Sequence, residues 1–113
     1  MKAGCAGRVR RACIRALGRA GDRAAVEFLL GERRYPGLDV SALARIAARD
    51  VAPLEPDLRR FAGLGAQRRR RLLLALRKAG NPDAVPPLAD LAERTRDARV
   101  HEALEELQGT AGG

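Results

Sequence analysis

Covalent chemistry in this chain would have to come from very few side chains: one histidine (His101), one serine (Ser41), two cysteines (Cys5 and Cys13) and scattered aspartates. His101 falls beside the apolar stripe of the last helical segment, with Glu102 and Glu105 near, as an ordinary surface imidazole does. A Ser-His-acid triad needs its members in hydrogen-bond contact, and Ser41 is far from His101 along the chain. Asp39, Asp50, Asp57, Asp83 and Asp90 put no two carboxylates on one helix face in the manner of an acid–base pair. One histidine and two cysteines cannot build a His-rich or Cys-rich metal site, and no Gly-rich phosphate loop is present. The residue types therefore predict no catalytic group, no metal and no cofactor. Cys5 and Cys13, if on one helix, are separated by a rise of roughly 12 Å, which is beyond disulfide reach. Cys13 is expected as a small buried hydrophobe, a thiol activated by Arg10 and Arg11 being the alternative.

What the chain has in excess is guanidinium. Basic residues number 22 against 14 acidic, for a net charge of +8 over 113 residues, and 20 of the 22 are arginine. The excess is uneven: residues 1–78 carry 19 basic and 7 acidic side chains, whereas residues 79–113 carry 3 and 7. Arg8, Arg11, Arg15 and Arg19 step by three or four positions, which makes a basic ridge along one helix face. Arg45 and Arg49 repeat Arg15 and Arg19 one period later, and Arg70 and Lys78 repeat Arg11 and Arg19 two periods later, with Arg71 and Arg77 flanking. Such a ridge can track a phosphate backbone, meet an acidic protein patch, or be plain solvated surface. With no Trp, and with Phe28 and Phe61 expected in the core, only Tyr35 is left to stack on single-stranded bases.

The elements that position these charges are read from internal repetition. Leu17–Leu30 laid over Leu76–Ala89 matches at six of 14 positions, at a constant shift of 59. Cys13, Ala16, Leu17 and Ala20 share one helix face; the same spacing recurs at Leu43, Ile46, Ala47, Asp50, at Leu72, Ala75, Leu76, Ala79, and at Val100, Ala103, Leu104, Leu107. Gly21-Asp22 and Gly80-Asn81 are expected to close one helix and cap the next. Pro86 and Pro87 start the helix proper near Val85, after a lead-in turn over 82–84. The expected helices are 7–20, 22–33, 39–50, 53–63, 66–79, 82–95 and 97–108, with a loop from Gly31 to Leu38. Asp50 interrupts the stripe and predicts a shortened helix or a local polar contact.

Val9-Arg-Arg-Ala-Cys-Ile-Arg-Ala-Leu-Gly-Arg-Ala-Gly-Asp-Arg-Ala-Ala-Val26 resembles the HEAT-like repeat of the phycobilisome-lyase type, as does Leu73-Leu-Ala-Leu-Arg-Lys-Ala-Gly-Asn-Pro-Asp-Ala-Val-Pro-Pro-Leu88. The middle unit departs from the pattern, with Ala48-Arg49-Asp50-Val51 in place of the Ala-Gly-Asp turn. The resemblance implies a right-handed stack of antiparallel hairpins, first helices on the convex side and second helices lining a concave one. Some proteins of this fold are alkyl-base DNA glycosylases or bilin lyases. The former rely on aromatic residues around an extruded base, for which this chain, with no Trp, is not equipped, and no chromophore-binding residue is matched for the latter.

The expectation is therefore an all-α chain: a short α-solenoid (α-α superhelix) of about three and a half HEAT-like hairpins forming one domain over 1–113. Its units are 7–34, 39–63, 66–95 and a half unit 97–108, followed by a tail 109–113. The expected function is a non-catalytic protein–protein interaction module or adaptor presenting a rigid curved surface. The alternative is a nucleic-acid-associated protein using the arginine ridge. The concave candidates are Arg23, Glu27, Asp57, Arg60, Asp83, Pro87, Asp90 and Arg94. The Met1–Gly7 lead and Ile14 are expected as an exposed end, leaving the uncapped first helix open to a second copy of the chain. No apolar run approaches membrane-spanning length, and no apolar core follows Lys2, so a bacterial-looking cytoplasmic protein is expected.

Overall fold

The computed structural model describes residues 7–31 and 36–112, and the side chains of 11–31 and 37–109. Cys5, Tyr35, the lead before Gly7 and the Arg8 side chain lie outside the described residues. Seven α-helices are described: α1 (Gly7–Ala20), α2 (Arg23–Gly31), α3 (Pro36–Arg49), α4 (Glu55–Arg59), α5 (Ala66–Ala79), α6 (Val85–Arg94) and α7 (Ala98–Gly112). Short 3₁₀ turns precede α4 (Ala52–Leu54), follow it (Phe61–Gly63) and precede α6 (Pro82–Ala84). There is no strand among the described residues.

Turn chemistry sets the hairpins. Gly21 and Gly80 take φ of +67° and +64°, a region open to glycine because it has no Cβ. Their N–H groups donate to Leu17 and Leu76 carbonyls. Asp22 Oδ1 then accepts from the Ala25 N–H at 2.8 Å, and Asn81 Oδ1 from the Asp83 N–H at 2.9 Å. In the middle unit Asp50 does the equivalent, accepting from the Ala52 N–H at 3.0 Å just after α3 ends. The lead-in turn ahead of Val85 is present as expected. The second helix of the middle unit is not continuous over 53–63. Pro53 and Pro56 remove two amide donors, and Arg60 leaves helical geometry at φ −100°, ψ 19°, so only five residues of α-helix remain. Residues 109–112 of the expected tail are helical, because α7 runs on to Gly112.

The helices stack in two layers. First helices pack in order, α1 on α3, α3 on α5 and α5 on α7, while α2, α4 and α6 form the second layer. The slab measures 44 × 29 × 19 Å. Ile14, Leu29, Leu43, Leu54, Leu58, Phe61, Leu72, Leu76, Leu88 and Leu107 are fully buried between the layers, each contributing roughly 1.5–3 kcal/mol. No helix could bury its stripe alone, so the core is one continuous cluster running through every unit. This is an all-α solenoid.

Two burial expectations are corrected. Ile14 is wholly buried, whereas Cys13, Ala16 and Ala20 are exposed and Leu17 is half-buried. Among the described residues α1 has a first-layer neighbour on one side only, so its inward line rotates toward α3 through Ile14, Leu17 and Gly18. At Gly18 a Cβ would come within 3.1 Å of the Ala42 Cβ, so the missing side chain permits that approach. Phe28 is also not core: it is 41% exposed on the outside of α2.

One polar contact crosses the core. Arg71 on α5 and Asp39 on α3 are buried, and Arg71 Nη1 lies 3.4 Å from Asp39 Oδ2. The same nitrogen donates to the Leu29 carbonyl at 3.1 Å and the Leu30 carbonyl at 3.5 Å. Asp39→Ala is expected to lower unfolding stability by about 3–5 kcal/mol, because it strands a buried cation. Asp39→Leu combined with Arg71→Met should recover much of that loss in urea denaturation. A single variant as stable as the parent would show that the pair does not hold α5 to α3.

Candidate functional site

The arginines divide by what they touch. The last carbonyls of a helix have no partner within it and carry partial negative charge, and here later units supply donors to several of them. Arg49 Nη2 donates to the Gly18 carbonyl at the end of α1, at 2.6 Å. Arg71 does the same for α2. Asn81 Nδ2 reaches the Ala47 and Ala48 carbonyls at the end of α3, at 2.9 and 3.3 Å. Arg69 donates to Phe61 and Ala62 carbonyls and lies 5.5 Å from the Phe61 ring centroid. Two members of the expected ridge are therefore part of the framework: Arg71 is in the core, and Arg49 caps α1.

Other ridge members stay outside. Arg11, Arg15, Arg19, Arg45 and Arg70 are exposed along the outer face of the first layer. Of these, Arg15, Arg19, Arg45 and Arg70 have no acidic partner among the described residues. Lys78 Nζ donates to Ser41 Oγ at 3.2 Å, and Arg77 pairs with Glu106 at 2.7 Å, linking α5 to α7. On α5, Gln67, Arg70, Leu74 and Lys78 share one face for roughly 16 Å. Leu74 is 38% exposed there. A groove of about 440 Å³ between α5 and α7 is lined by Ala66, Gln67, Arg70, Leu73, Leu74, Arg77 and Arg99. A second, of about 580 Å³ between α3 and α5, is lined by Gly37, Val40, Gln67, Arg70, Arg71, Leu74 and Lys78. Leu74 and Val40 were missed as site residues. The signal for Leu74 was the run Leu72-Leu73-Leu74: three successive helical positions span about 200°, so one must leave the core.

The second-layer face is built differently. Asp57, expected on its surface, is buried. Arg23 holds its carboxylate through both guanidinium ends and also donates to the Pro53 carbonyl at 3.0 Å. The hydrogen bond to Asp57 keeps the Arg23 pKa above its ordinary value despite opposing desolvation. Glu27 and Arg60 join this cluster at 3.5 Å each. Pro87, Asp90 and Arg94 line a groove of about 230 Å³ with Glu55, Leu58 and Arg59. In it Arg94 pairs with Asp90 at 3.0 Å and Arg59 with Glu55 at 3.5 Å. Asp83 is exposed at the turn before α6. Charges on this side largely neutralise one another.

Residues 9–30 and 68–94 match the PBS lyase HEAT-like repeat. These two segments carry HEAT-like repeats. Repeats of this kind generally mediate protein–protein interaction and act as structural modules. The two matched segments are α1–α2 and α5–α6, and the unmatched middle is where the second helix is broken. No curated protein and no solved structure matches the chain.

Among the described residues, no three His, Cys, Asp or Glu side chains gather as a metal site would require, and no helix is long and apolar enough to cross a membrane. His101 is exposed, with Nε2 3.3 Å from the Thr95 carbonyl, as expected of a surface residue. The division of arginines is testable by thermal melts. Arg15→Ala and Arg70→Ala should change stability by no more than about 0.5 kcal/mol, whereas Arg49→Ala, which uncaps α1, should cost about 1 kcal/mol.

Proposed function

We propose that the chain is a non-catalytic protein-interaction module or adaptor, acting as one cytoplasmic repeat domain, whose first-layer face takes an acidic protein partner. One observation carries this: exposed Arg15, Arg19, Arg45 and Arg70 lack acidic partners among the described residues, while charges on the opposite face pair with each other. A surface with unmatched charge gains from an oppositely charged partner and repels a like one, which gives specificity and fast encounter. The two-layer slab fixes the backbone positions of these arginines, so docking orders their side chains and not the fold. The sequence-based expectation of a second-layer docking face is set aside in this reading, because Arg23, Asp57, Asp90 and Arg94 already have partners.

The arginines also fit a phosphate backbone by charge alone, and one titration separates the two readings. A poly-glutamate peptide should bind at about 50 mM salt and weaken as salt rises. Arg45→Glu with Arg70→Glu should reduce affinity about tenfold or more, whereas Asp90→Arg on the opposite face should not weaken it. Duplex DNA binding with a steep salt slope, weakened by the same double variant while the peptide fails to bind, would move the face to nucleic acid.

A further inference from the structure

The basic face is not uniformly polar. Where α3 and α5 lie side by side, Gly37, Val40 and Leu74 make an apolar floor, and Arg70 and Lys78 stand at its edges. Among the described residues no acidic side chain lines this groove, whereas Glu106 already pairs with Arg77 at the α5–α7 groove. Leu74 is one of two large apolar side chains more than a third exposed among the described residues, and it separates the two grooves. A phosphate backbone has nothing apolar to set against Val40 and Leu74, and covering them would give it no gain. A partner presenting apolar side chains on one side and carboxylates beside them satisfies both the floor and the edges.

We infer that the α3–α5 groove is a docking site for an acidic amphipathic helix of a partner protein. The inference rests on the acidic-partner reading above and specifies the partner's form. Arg70, Leu74 and Lys78 recur at four-residue intervals along α5, so a helix laid in the groove meets them with carboxylates and an apolar side chain at matching spacing. Its apolar face covers Leu74 and Val40, and its flanking carboxylates reach Arg70 and Lys78. Because Leu74 projects from the first layer rather than into the core, altering it leaves the stack intact.

The test uses the full chain and two labelled synthetic peptides of identical composition. In one, leucines recur at three- and four-residue spacing among glutamates; in the other their order is scrambled. Fluorescence anisotropy should show the amphipathic peptide binding about tenfold tighter than the scrambled one. Leu74→Gln should abolish that difference without altering the melting curve, while the weak charge-driven binding of the scrambled peptide is unchanged. Equal binding of both peptides to the parent chain overturns the groove and leaves the basic-face reading standing. Binding of neither overturns both.

Discussion

Arg71 occupies the core because the carboxylate of Asp39 and two carbonyls at the end of α2 replace the water it gave up. A buried guanidinium without such partners is strongly unfavourable, so its position is defined only when α2, α3 and α5 are all in place. That requirement couples three helices from three successive units. The apolar core between the layers supplies most of the stabilisation, but apolar contact is non-directional. The polar contact adds orientation, since it forms in one register of α5 against α2 and α3.

The same arrangement recurs with different side chains. Arg49 reaches back to α1, Asn81 to α3 and Arg23 forward to Asp57 in the next unit. These three contacts link neighbouring units, as the nearest-neighbour coupling of a solenoid requires, whereas Arg71 reaches from the third unit to the first. The arginine content therefore has two uses in one molecule. Some guanidinium groups join units together, and others remain on the outer face of the first layer. That second set, with Leu74 among it, gives the slab a basic side with an apolar line through it.

Much of the architecture was legible from the chain because hairpin repeats write themselves twice, as spacing and as turns. Gly21-Asp22 and Gly80-Asn81 behave as their residue types dictate, and the Pro82–Ala84 lead-in follows from Pro86 and Pro87. The middle unit was less legible, since whether a helix survives Pro53 and Pro56 depends on what its other end packs against. Cys13 and Ile14 exchanged roles because periodicity marks an apolar stripe but not which neighbours are present to cover it. The site was least legible. Arg70 and Arg71 are adjacent and identical in type, yet one is exposed and the other buried. Helical phase separates them, since Arg71 lies one turn from buried Ala75 and Arg70 one turn from exposed Leu74, but the groups that make burial of Arg71 possible, the Leu29 and Leu30 carbonyls and the Asp39 carboxylate, are far off in sequence.

The sorting of arginines into joints and free surface is the claim on which the functional reading stands, and arginine-selective nitrogen NMR addresses it directly. Guanidinium groups held by fixed acceptors rotate slowly and exchange their protons slowly with water, while solvated ones average both. Arg23, Arg69 and Arg71 should give dispersed, slowly exchanging signals, and Arg15, Arg45 and Arg70 should collapse into the solvent-averaged region. Signals from Arg45 and Arg70 as restricted as that of Arg71, or an Arg71 signal as averaged as theirs, would contradict the account.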